Sequence, residues 1–384
     1  MDSSVRFSVV IPYFDRLPYL KRTLLALADQ DIARDEFEIV ISCLEYSPRL
    51  LDLLATLPGD LCVRCIMTRT HWNVSLARNM AFRQARGEIL VLLDCDMMLP
   101  RSFLRSLRDR YFKLKIEQAL IGQMLDYDAY TEVMEVELQD YEFYQNRYLS
   151  SDDRTGRRSD IRWTISRHIP WALCWTAVMA IPRSVVERHS LYFDTAFQGW
   201  GAEDLEWGFR ITQSGIPIVF ADDLWAMHLP HARNLALNVA QETHNLATFL
   251  RKWPCLEVEL VCAFGAVGAN LRHNQLKRQW KGACPNGSQL GVVEFRAKGG
   301  SHLALGAVLD SHGQVLNSID IPEFDPNAVS RSVPLWGLRL PYESGAIHSA
   351  YLLPSIFAAS EEIHALIGTE ARRVSRAVLD LSRR

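Results

Sequence analysis

Two aspartates separated by one residue, Asp94 and Asp96, directly follow an uninterrupted apolar run over residues 89–93. Such a run is typical of a strand that is buried on both faces of a mainly parallel sheet. The aspartates would then lie at the carboxyl end of that strand, where open α/β sheets bind ligands. Two carboxylates at this place can share a divalent cation that holds a diphosphate. The alternative is a simple turn, in which Asp is common.

A second acidic pair and a histidine pair follow further along the chain. Glu203 and Asp204 lie in the segment GWGAEDLE, and His228 and His231 lie about twenty-five residues later. A carboxylate such as Asp204 can take a proton as a general base, and imidazoles are frequent metal ligands. The alternatives are that the acids only favour a helix N-terminus and that one histidine is structural.

The elements that must position these residues alternate between strand and helix. Apolar runs and helical periodicity predict strands over 7–14, 37–42, 61–67 and 89–93, and helices over 19–30, 50–57 and 74–85. Asn73 is the expected cap of the third helix. The alternation predicts βαβ units in a doubly wound α/β sheet.

The pattern continues less regularly up to about residue 253. Residues 102–116, 184–190, 199–214 and 235–253 are predicted helices, and residues 118–127, 170–181 and 216–221 are predicted strands. Residues 224–234 are predicted to leave the last strand irregularly. The polar stretch 149–163 is predicted to be a surface loop, with a substrate lid as the alternative.

The sequence pattern changes near residue 254, after which short apolar runs alternate with turns rich in Gly and Asn, and this change predicts a domain boundary. Residues 1–253 would form the α/β domain and residues 254–384 a smaller α+β domain. The smaller domain is predicted to contain an antiparallel meander over 289–322 and two helices over 349–367 and 370–381. Its expected role is acceptor recognition or formation of a homodimer.

Bulk composition excludes several classes of protein. The net charge of -3 gives no basic field for nucleic acid. No apolar run is long enough to span a membrane, and the N-terminus does not resemble a signal peptide. The eight cysteines are scattered, which predicts free thiols and a cytoplasmic location.

The order of the motifs resembles a known family. SVVIPYF, NVSLARNMAFRQARGEILVLLDCDMM and FDTAFQGWGAEDLEWGFRITQSG together resemble the GT-A glycosyltransferases, and within them family 2 and its galactosyl/N-acetylgalactosaminyltransferase branch. The resemblance covers residues 7–249. It implies a GT-A fold, which is a Rossmann-like, mainly parallel sheet with flanking helices, and a UDP-sugar donor.

The resemblance also implies roles for individual residues. Asp96, His228 and His231 would bind Mn²⁺ or Mg²⁺, since a carboxylate with imidazoles suits Mn²⁺. Asp204 would be the catalytic base, and Glu203 would bind sugar hydroxyls. Trp200 and Gly201 would contact the sugar. The donor nucleotide would be bound by Pro12, Tyr13, Asp15, Glu45, Arg78, Asn79 and Asp94.

One departure from the family pattern leaves the donor base open. The usual acidic pair after the second strand is replaced by Ser42, Cys43 and Leu44, and Glu45 is the nearest acid. A carboxylate at Asp204, where retaining relatives often carry an amide, favours inversion.

The predicted function is a metal-dependent inverting glycosyltransferase. Its donor would be a UDP-sugar of galactose, N-acetylgalactosamine, glucose or N-acetylglucosamine. Its acceptor would be a glycan, a small natural product or a peptide side chain. The alternatives are a nucleotidyltransferase on a similar fold and a protein that binds a nucleotide sugar without turnover.

Overall fold

A computed structural model describes residues 6–127, 137–149, 158–282, 284, 287–358 and 360–381. The chain divides into two compact units, one of Met1–Thr164 with Pro170–Asn245 and one of Ile165–Ile169 with Leu246–Arg384. The sequence places the boundary after residue 253, and the role of the smaller domain stays a prediction. Most of the predicted 149–163 loop, residues 150–157, lies outside the described residues.

The first unit is built on one sheet, to which eight strands of the described residues contribute. These strands are β1 (Phe7–Tyr13), β2 (Phe37–Cys43), β3 (Val63–Met67), β4 (Ile89–Leu93), β5 (Met97–Met98), β6 (Ala119–Leu125), β7 (Val178–Pro182) and β8 (Ile218–His228). Their order is β3-β2-β1-β4-β7-β6-β8-β5. The first four run parallel, β7 is antiparallel to its neighbours, and β6 and β8 run parallel.

Strand β4 shows why the apolar run has no polar interruption. Its residues Val91 and Leu93 pack into the core on one face of the sheet, and Leu90 and Leu92 pack into the core on the other face. Because both faces are covered, alternation between polar and apolar residues disappears. The predicted α/β class with a smaller α+β unit is confirmed.

The helices of the first unit connect these strands. They are α1 (Leu17–Ala28), α2 (Pro48–Leu54), α3 (Val74–Gln84), α4 (Phe103–Ser106), α5 (Tyr141–Tyr144), α6 (Arg183–Arg188), α7 (Glu203–Gln213) and α8 (Leu235–Lys252), whose residues 235–245 belong to this unit. Asn73 caps α3 as predicted, because its side-chain oxygen accepts the Leu76 N–H at 2.7 Å.

Two predictions for the first unit are wrong in detail. The predicted irregular stretch 224–234 begins instead as the second half of β8, which pairs with β6 again beyond an irregularity in the register. Asp222 and Asp223, which suggest the end of a strand, lie at this irregularity. The predicted strand 170–181 contains a 3₁₀ turn over Pro170–Leu173, and only Val178–Pro182 forms a strand.

The second unit has its own sheet and two helices of its own among the described residues. These elements are β9 (Gln289–Ala297), β10 (Gly300–Leu309), β11 (Val329–Val333), β12 (Ile347–Leu352), β13 (Ser375–Asp380), α9 (Leu256–Gly282) and α10 (Glu361–Val374). The strand order is β11-β9-β10-β12-β13. No helix of the described residues is long and apolar enough to cross a membrane.

The C-terminal prediction of two helices over 349–367 and 370–381 is only partly confirmed, because a single helix, α10, occupies Glu361–Val374 and the outer ends of the predicted ranges are strands. Residues 347–352 form β12 and residues 375–380 form β13, and these two strands pair in parallel. The meander over 289–322 is confirmed only for β9 and β10, since residue 315 makes a single bridge to Leu309. Tertiary strand pairing overrides local helix propensity in this region.

Candidate active site

The turn after β4 carries both predicted metal-site aspartates. The Asp94 carbonyl accepts the Met97 N–H at 3.3 Å, which closes the turn into β5. Met97 then pairs with His228, the last residue of β8. The Asp96 carbonyl accepts the Leu229 N–H at 2.8 Å. These backbone bonds hold the end of β8 beside the aspartates.

Three buried side chains, Asp96, His228 and His231, converge at this place. Each offers one possible ligand atom, and the three atoms lie within 4.8 Å of one another. Asp96 Oδ2 lies 3.2 Å from His231 Nε2 and 3.9 Å from His228 Nε2. One carboxylate oxygen and two imidazole nitrogens suit Mn²⁺ and similar divalent ions. The residues therefore fit the predicted metal.

The protonation states also favour metal binding. Burial lowers the pKa of His228 to about 4, so its imidazole is neutral at pH 7. Its Nε2 faces the Arg233 guanidinium at 3.3 Å, and since arginine only donates, this nitrogen keeps its lone pair. His231 Nδ1 lies 3.0 Å from the Ala232 carbonyl, and its Nε2 lies 3.2 Å from Asp96 Oδ2. This Nε2 donates to Asp96 when it carries a proton and can bind a metal only when it does not.

Asp96 is an anion at neutral pH despite its burial. Burial by itself raises the pKa of the carboxyl group, but the hydrogen bond from His231 and the charges of His228 and Arg16 lower it below the usual range, with His228 contributing positive charge only at pH values below its own pKa of about 4. An ionised carboxylate in a buried place needs cationic or hydrogen-bonding partners. Asp96 thus supplies the negative charge that a metal ligand requires.

Arg78 links the aspartate turn to the start of α7. Its guanidinium donates to Asp94 Oδ1 at 3.3 Å and to Glu203 Oε1 at 3.1 Å. Arg78 lies in α3 and its side chain is buried, with Cζ 5.1 Å from the centroid of the Phe193 ring. Glu203 Oε2 is buried and has no hydrogen-bond partner among the described residues. Such an atom is suited to accept a hydrogen bond from a ligand hydroxyl.

Asp204 follows Glu203 in the first turn of α7 and is partly exposed. Burial and the adjacent Glu203 carboxylate raise its pKa well above the usual value, while Arg78 and the Leu205 N–H act in the opposite direction. A raised pKa makes the carboxylate a stronger base once it is deprotonated. This is the property expected of a group that removes a proton from a hydroxyl.

The loop before α7 has an unusual backbone. Gly199, Gly201 and Ala202 have positive φ angles of 72°, 93° and 69°. A Cβ atom at Gly199 would lie 2.4 Å from Gln241, so no other residue fits there without displacement. Ala202 keeps a left-handed conformation that is uncommon for residues with a side chain. The surrounding structure must therefore stabilise this loop.

Two amide side chains of α8 provide that support. Asn245, which is 1% exposed, donates to the carbonyls of Gln198 at 2.9 Å and Gly201 at 2.8 Å. Gln241 Oε1 accepts the Trp200 N–H at 2.9 Å. The two amides are one helical turn apart, so both face the loop. They define the loop conformation from which Glu203 and Asp204 project.

Replacing Asn245 with alanine is expected to lower kcat about tenfold and to destabilise the protein by about 2 kcal/mol, because buried carbonyl groups lose their donor. Nucleotide affinity should stay within a factor of about two, since the metal site is untouched. Steady-state kinetics, chemical denaturation and calorimetry measure these effects. Asn238→Ala on the same helix is the matched control, and equal kcat values in the two variants would contradict the role of Asn245.

The residues predicted to bind the nucleotide base lie at the ends of β1 and β2. Pro12 and Tyr13 are buried in β1, whereas Asp15 is exposed and Glu45 is half-buried. Burial raises the pKa of Tyr13 to about 12, with smaller contributions from Cys43, Asp15 and Glu45. Asp15 and Glu45 follow the carboxyl ends of β1 and β2, which are neighbouring parallel strands. Their role in base binding stays a prediction.

Asn79 has a different environment from the one predicted. Its side-chain amide donates to the Phe193 carbonyl at 2.8 Å, and its oxygen accepts the Phe193 N–H at 2.8 Å. Asn73 similarly donates to the Phe197 carbonyl at 2.9 Å. The two asparagines of the α3 region thus shape the segment that leads to α7. Direct contact of Asn79 with a nucleotide remains a prediction.

Several residues of the site were not predicted from the sequence. Arg16 bonds to Asp96, Arg233 bonds to His228, and Gln241 and Asn245 hold the loop before α7. The spacing of four between Gln241 and Asn245 on a predicted helix would have placed both on one face. Arg16 and Arg233 carry no comparable periodic signal.

Comparison with known proteins identifies similar enzymes. A validoxylamine A glucosyltransferase of Streptomyces hygroscopicus subsp. jinggangensis (strain 5008) is 28% identical over 292 residues, which cover 72% of this chain and 69% of that protein. The protein of the same name from Streptomyces hygroscopicus subsp. limoneus is also 28% identical over 292 residues, which cover 72% of this chain and 64% of that protein. The chain therefore spans about two thirds of the length of these relatives.

A solved structure described as a crystal structure of S. aureus TarS 1-349 is 17% identical, with a TM-score of 0.43, and the match covers 72% of this chain and 74% of that chain. In the sequence, residues 8–162, which run from β1 to the segment that follows β6, match the family model described as "Glycosyl transferase family 2".

Proposed function

We propose that the protein is a metal-dependent inverting glycosyltransferase that uses a UDP-sugar. The observation that carries the proposal is the convergence of Asp96, His228 and His231 on one point. Arg78 connects the same turn to Glu203, the neighbour of Asp204. These contacts support a metal-diphosphate site close to the proposed base.

The proposed donor sugar is glucose, which is supported by the names of two similar proteins. The family 2 match over residues 8–162 supports glycosyl transfer. Two relatives are named as glucosyltransferases, which supports glucose among the four predicted sugars. The galactosyl/N-acetylgalactosaminyl branch stays a prediction from the GWGAED motif.

The acceptor is proposed to be a small natural product. The two relatives are named validoxylamine A glucosyltransferases, which supports this class among the three predicted acceptors. Recognition of the acceptor by the second unit, formation of a homodimer and a cytoplasmic location remain predictions. All eight cysteines are free thiols, as predicted.

Each residue of the site has a distinct task in this proposal. Asp96, His228 and His231 would hold the metal, which offsets the charge that develops on the leaving diphosphate. Arg78 keeps Asp94 and Glu203 in place through its two hydrogen bonds. The unpartnered Glu203 Oε2 is available to accept a bond from a sugar hydroxyl.

Asp204 would take the proton of the acceptor hydroxyl as the new bond forms. The acceptor oxygen bonds to the anomeric carbon, and the bond from that carbon to the diphosphate oxygen breaks. A single displacement of this kind inverts the anomeric configuration. The uridine diphosphate leaves with the electron pair of the broken bond, and the proton remains on Asp204.

A thermal-shift screen tests the proposed function directly. The protein is melted with UDP-glucose, UDP-galactose and their N-acetylamino counterparts, each with Mn²⁺ or with chelator. We expect a donor-specific increase in Tm that requires Mn²⁺, because ligands that bind only the folded state stabilise it. GDP-mannose, which carries guanine in place of uracil, is the control for recognition of the nucleotide base. An absence of any response to UDP-sugars would contradict the proposal.

The pH dependence of kcat/KM tests whether Asp204 is the general base. Asp204 acts when deprotonated, so activity is lost as pH falls through its pKa, and the raised pKa places this loss above the range of an ordinary aspartate. Glu203→Gln removes a carboxylate that raises this pKa, so the acidic limb should move to lower pH. Glu187→Gln, a change at an exposed carboxylate, is the control. A limb that stays in place in Glu203→Gln would contradict the assignment.

A further inference from the structure

We propose that Arg16 is a diphosphate-binding residue that exchanges partners: its guanidinium pairs with Asp96, and it transfers to the donor diphosphate when metal and nucleotide bind. This inference rests on the proposed function. It adds to the site a residue that lies in none of the sequence motifs that predict the site. It also implies that metal and nucleotide bind in a coupled manner.

One oxygen atom, Asp96 Oδ2, contacts both Arg16 and the two histidines of the candidate metal site. Arg16 Nη1 donates to Asp96 Oδ2 at 2.6 Å. The same oxygen lies 3.2 Å from His231 Nε2 and 3.9 Å from His228 Nε2. It is therefore both the acceptor for Arg16 and the carboxylate atom that converges with the two imidazoles. Arg16 and a divalent cation compete for one atom.

Electrostatic repulsion disfavours simultaneous binding of Arg16 and a metal ion to this oxygen. A divalent metal such as Mg²⁺ lies about 2.0–2.1 Å from its oxygen ligands, and Arg16 Nη1 lies 2.6 Å from the same oxygen. Two positive groups would then be held a few ångströms apart in a buried place, where screening by water is weak. Their repulsion favours movement of Arg16 away from Asp96 when a metal is bound.

A second arginine, Arg233, also contacts an atom of the candidate metal site. Arg233 Nη2 lies 3.3 Å from His228 Nε2, the nitrogen that carries the available lone pair. Its guanidinium also stacks on the Tyr127 ring at 5.0 Å. Two of the possible metal-ligand atoms thus face arginines. Arg16 and Arg233 thus provide hydrogen-bond donors to an oxygen and a nitrogen of the candidate metal site.

Arg16 has the freedom that an exchange requires. It lies between β1 and α1, and its side chain is 39% exposed. Within the described residues its guanidinium makes a hydrogen bond only to Asp96. Arg162, in contrast, is fully buried and bonds to Asp160, Leu173 and Gly122. A guanidinium with a single partner and a long flexible stem can change partner at low cost.

The location of Arg16 indicates its second partner. It is three residues beyond Tyr13 and next to Asp15, at the predicted nucleotide end of the site, and it reaches Asp96 at the metal end. A nucleoside diphosphate that spans these two ends must place its phosphates between them. Arginine forms bidentate bonds to phosphate oxygens, which makes it well suited to that position. The anion would draw Arg16 away from Asp96.

The test uses Arg16→Met, which keeps the stem and removes the charge, and Arg16→Lys, which keeps the charge. Mn²⁺ affinity is measured without nucleotide by electron paramagnetic resonance, and UDP affinity is measured with saturating Mn²⁺ by calorimetry. In Arg16→Met we expect Mn²⁺ to bind about fivefold more tightly and UDP about tenfold more weakly. Arg16→Lys should lie between this variant and the wild type in both measurements. Arg105→Met, which removes an exposed arginine paired with Asp31, is the matched control.

The outcomes separate this inference from the proposed function. If Mn²⁺ binds to Arg16→Met no more tightly than to the wild type, Arg16 does not compete for Asp96. If UDP affinity is unchanged, Arg16 does not bind the diphosphate. Either result overturns the exchange while the wild type still binds Mn²⁺ and UDP. A wild-type protein that binds neither would overturn the proposed function as well. Thermal melting of each variant verifies that it is folded.

Discussion

Asp204→Asn is expected to lower kcat about a thousandfold, because the asparagine amide cannot accept the acceptor proton and general-base catalysis contributes about 10²–10⁴-fold. The donor should still bind with near wild-type affinity, since Asp204 lies outside the metal-ligand set. The backbone of the loop should also be unchanged, because Gln241 and Asn245 bind its main chain and not the Asp204 side chain. Steady-state kinetics with the preferred donor and calorimetry with UDP measure the two effects.

The control for Asp204→Asn is Asp194→Asn, a change at an acid in the segment that precedes the loop. Its kcat should stay within a factor of about two of the wild type, because asparagine keeps the Oδ1 that accepts the Ala196 N–H at 2.8 Å. Rapid-quench analysis of product anomers would establish whether transfer inverts the configuration. Transfer by Asp204→Asn at near wild-type rate would show that another group is the base.

Asp96→Asn is expected to abolish Mn²⁺-dependent UDP binding and to reduce transfer by about a thousandfold or more, since metal stabilisation of a leaving group contributes several kcal/mol. An amide oxygen is a weak ligand for Mn²⁺ beside two imidazoles. Removal of the negative charge also leaves His228, His231 and Arg16 without their shared anion. Calorimetry of UDP binding with Mn²⁺ and with chelator measures the loss.

The matched variant for Asp96→Asn is Asp94→Asn, two residues earlier in the same turn. Asp94 bonds to Arg78 and is more exposed, so Mn²⁺ affinity should change by only a few-fold in this variant. UDP binding would weaken moderately, because Arg78 loses an anionic partner. Equal loss of Mn²⁺ binding in both variants would mean that both aspartates are direct ligands. Retained Mn²⁺ binding in Asp96→Asn would contradict the proposed metal site.

The sequence by itself determined the first half of the α/β sheet and the residues of the candidate site. Strands buried on both faces, such as β1 and β4, leave apolar runs that can be recognised without knowing their partners. A capping residue such as Asn73 acts within one helical turn, so it is also a local signal. The aspartate and histidine motifs are short in sequence, and their chemical character is evident from residue types.

The tertiary structure decided which of these motifs meet and what holds them. Asp96 and His228 are adjacent because Met97 pairs with the end of β8, a register that depends on residues far apart in the chain. The same limit explains the error at the outer ends of residues 349–381, where β12 and β13 pair and a single helix, α10, lies between them in place of the two predicted helices.

The supporting residues were hidden from the sequence for the same reason. Arg16 reaches Asp96, and Asn245 reaches Gly201, across long chain separations. A lone arginine or asparagine has the same appearance in the sequence whether it is solvated or bonded to an active-site loop. Local patterns record burial and turn chemistry, whereas contacts between distant side chains depend on strand order and helix packing, which only the folded chain defines.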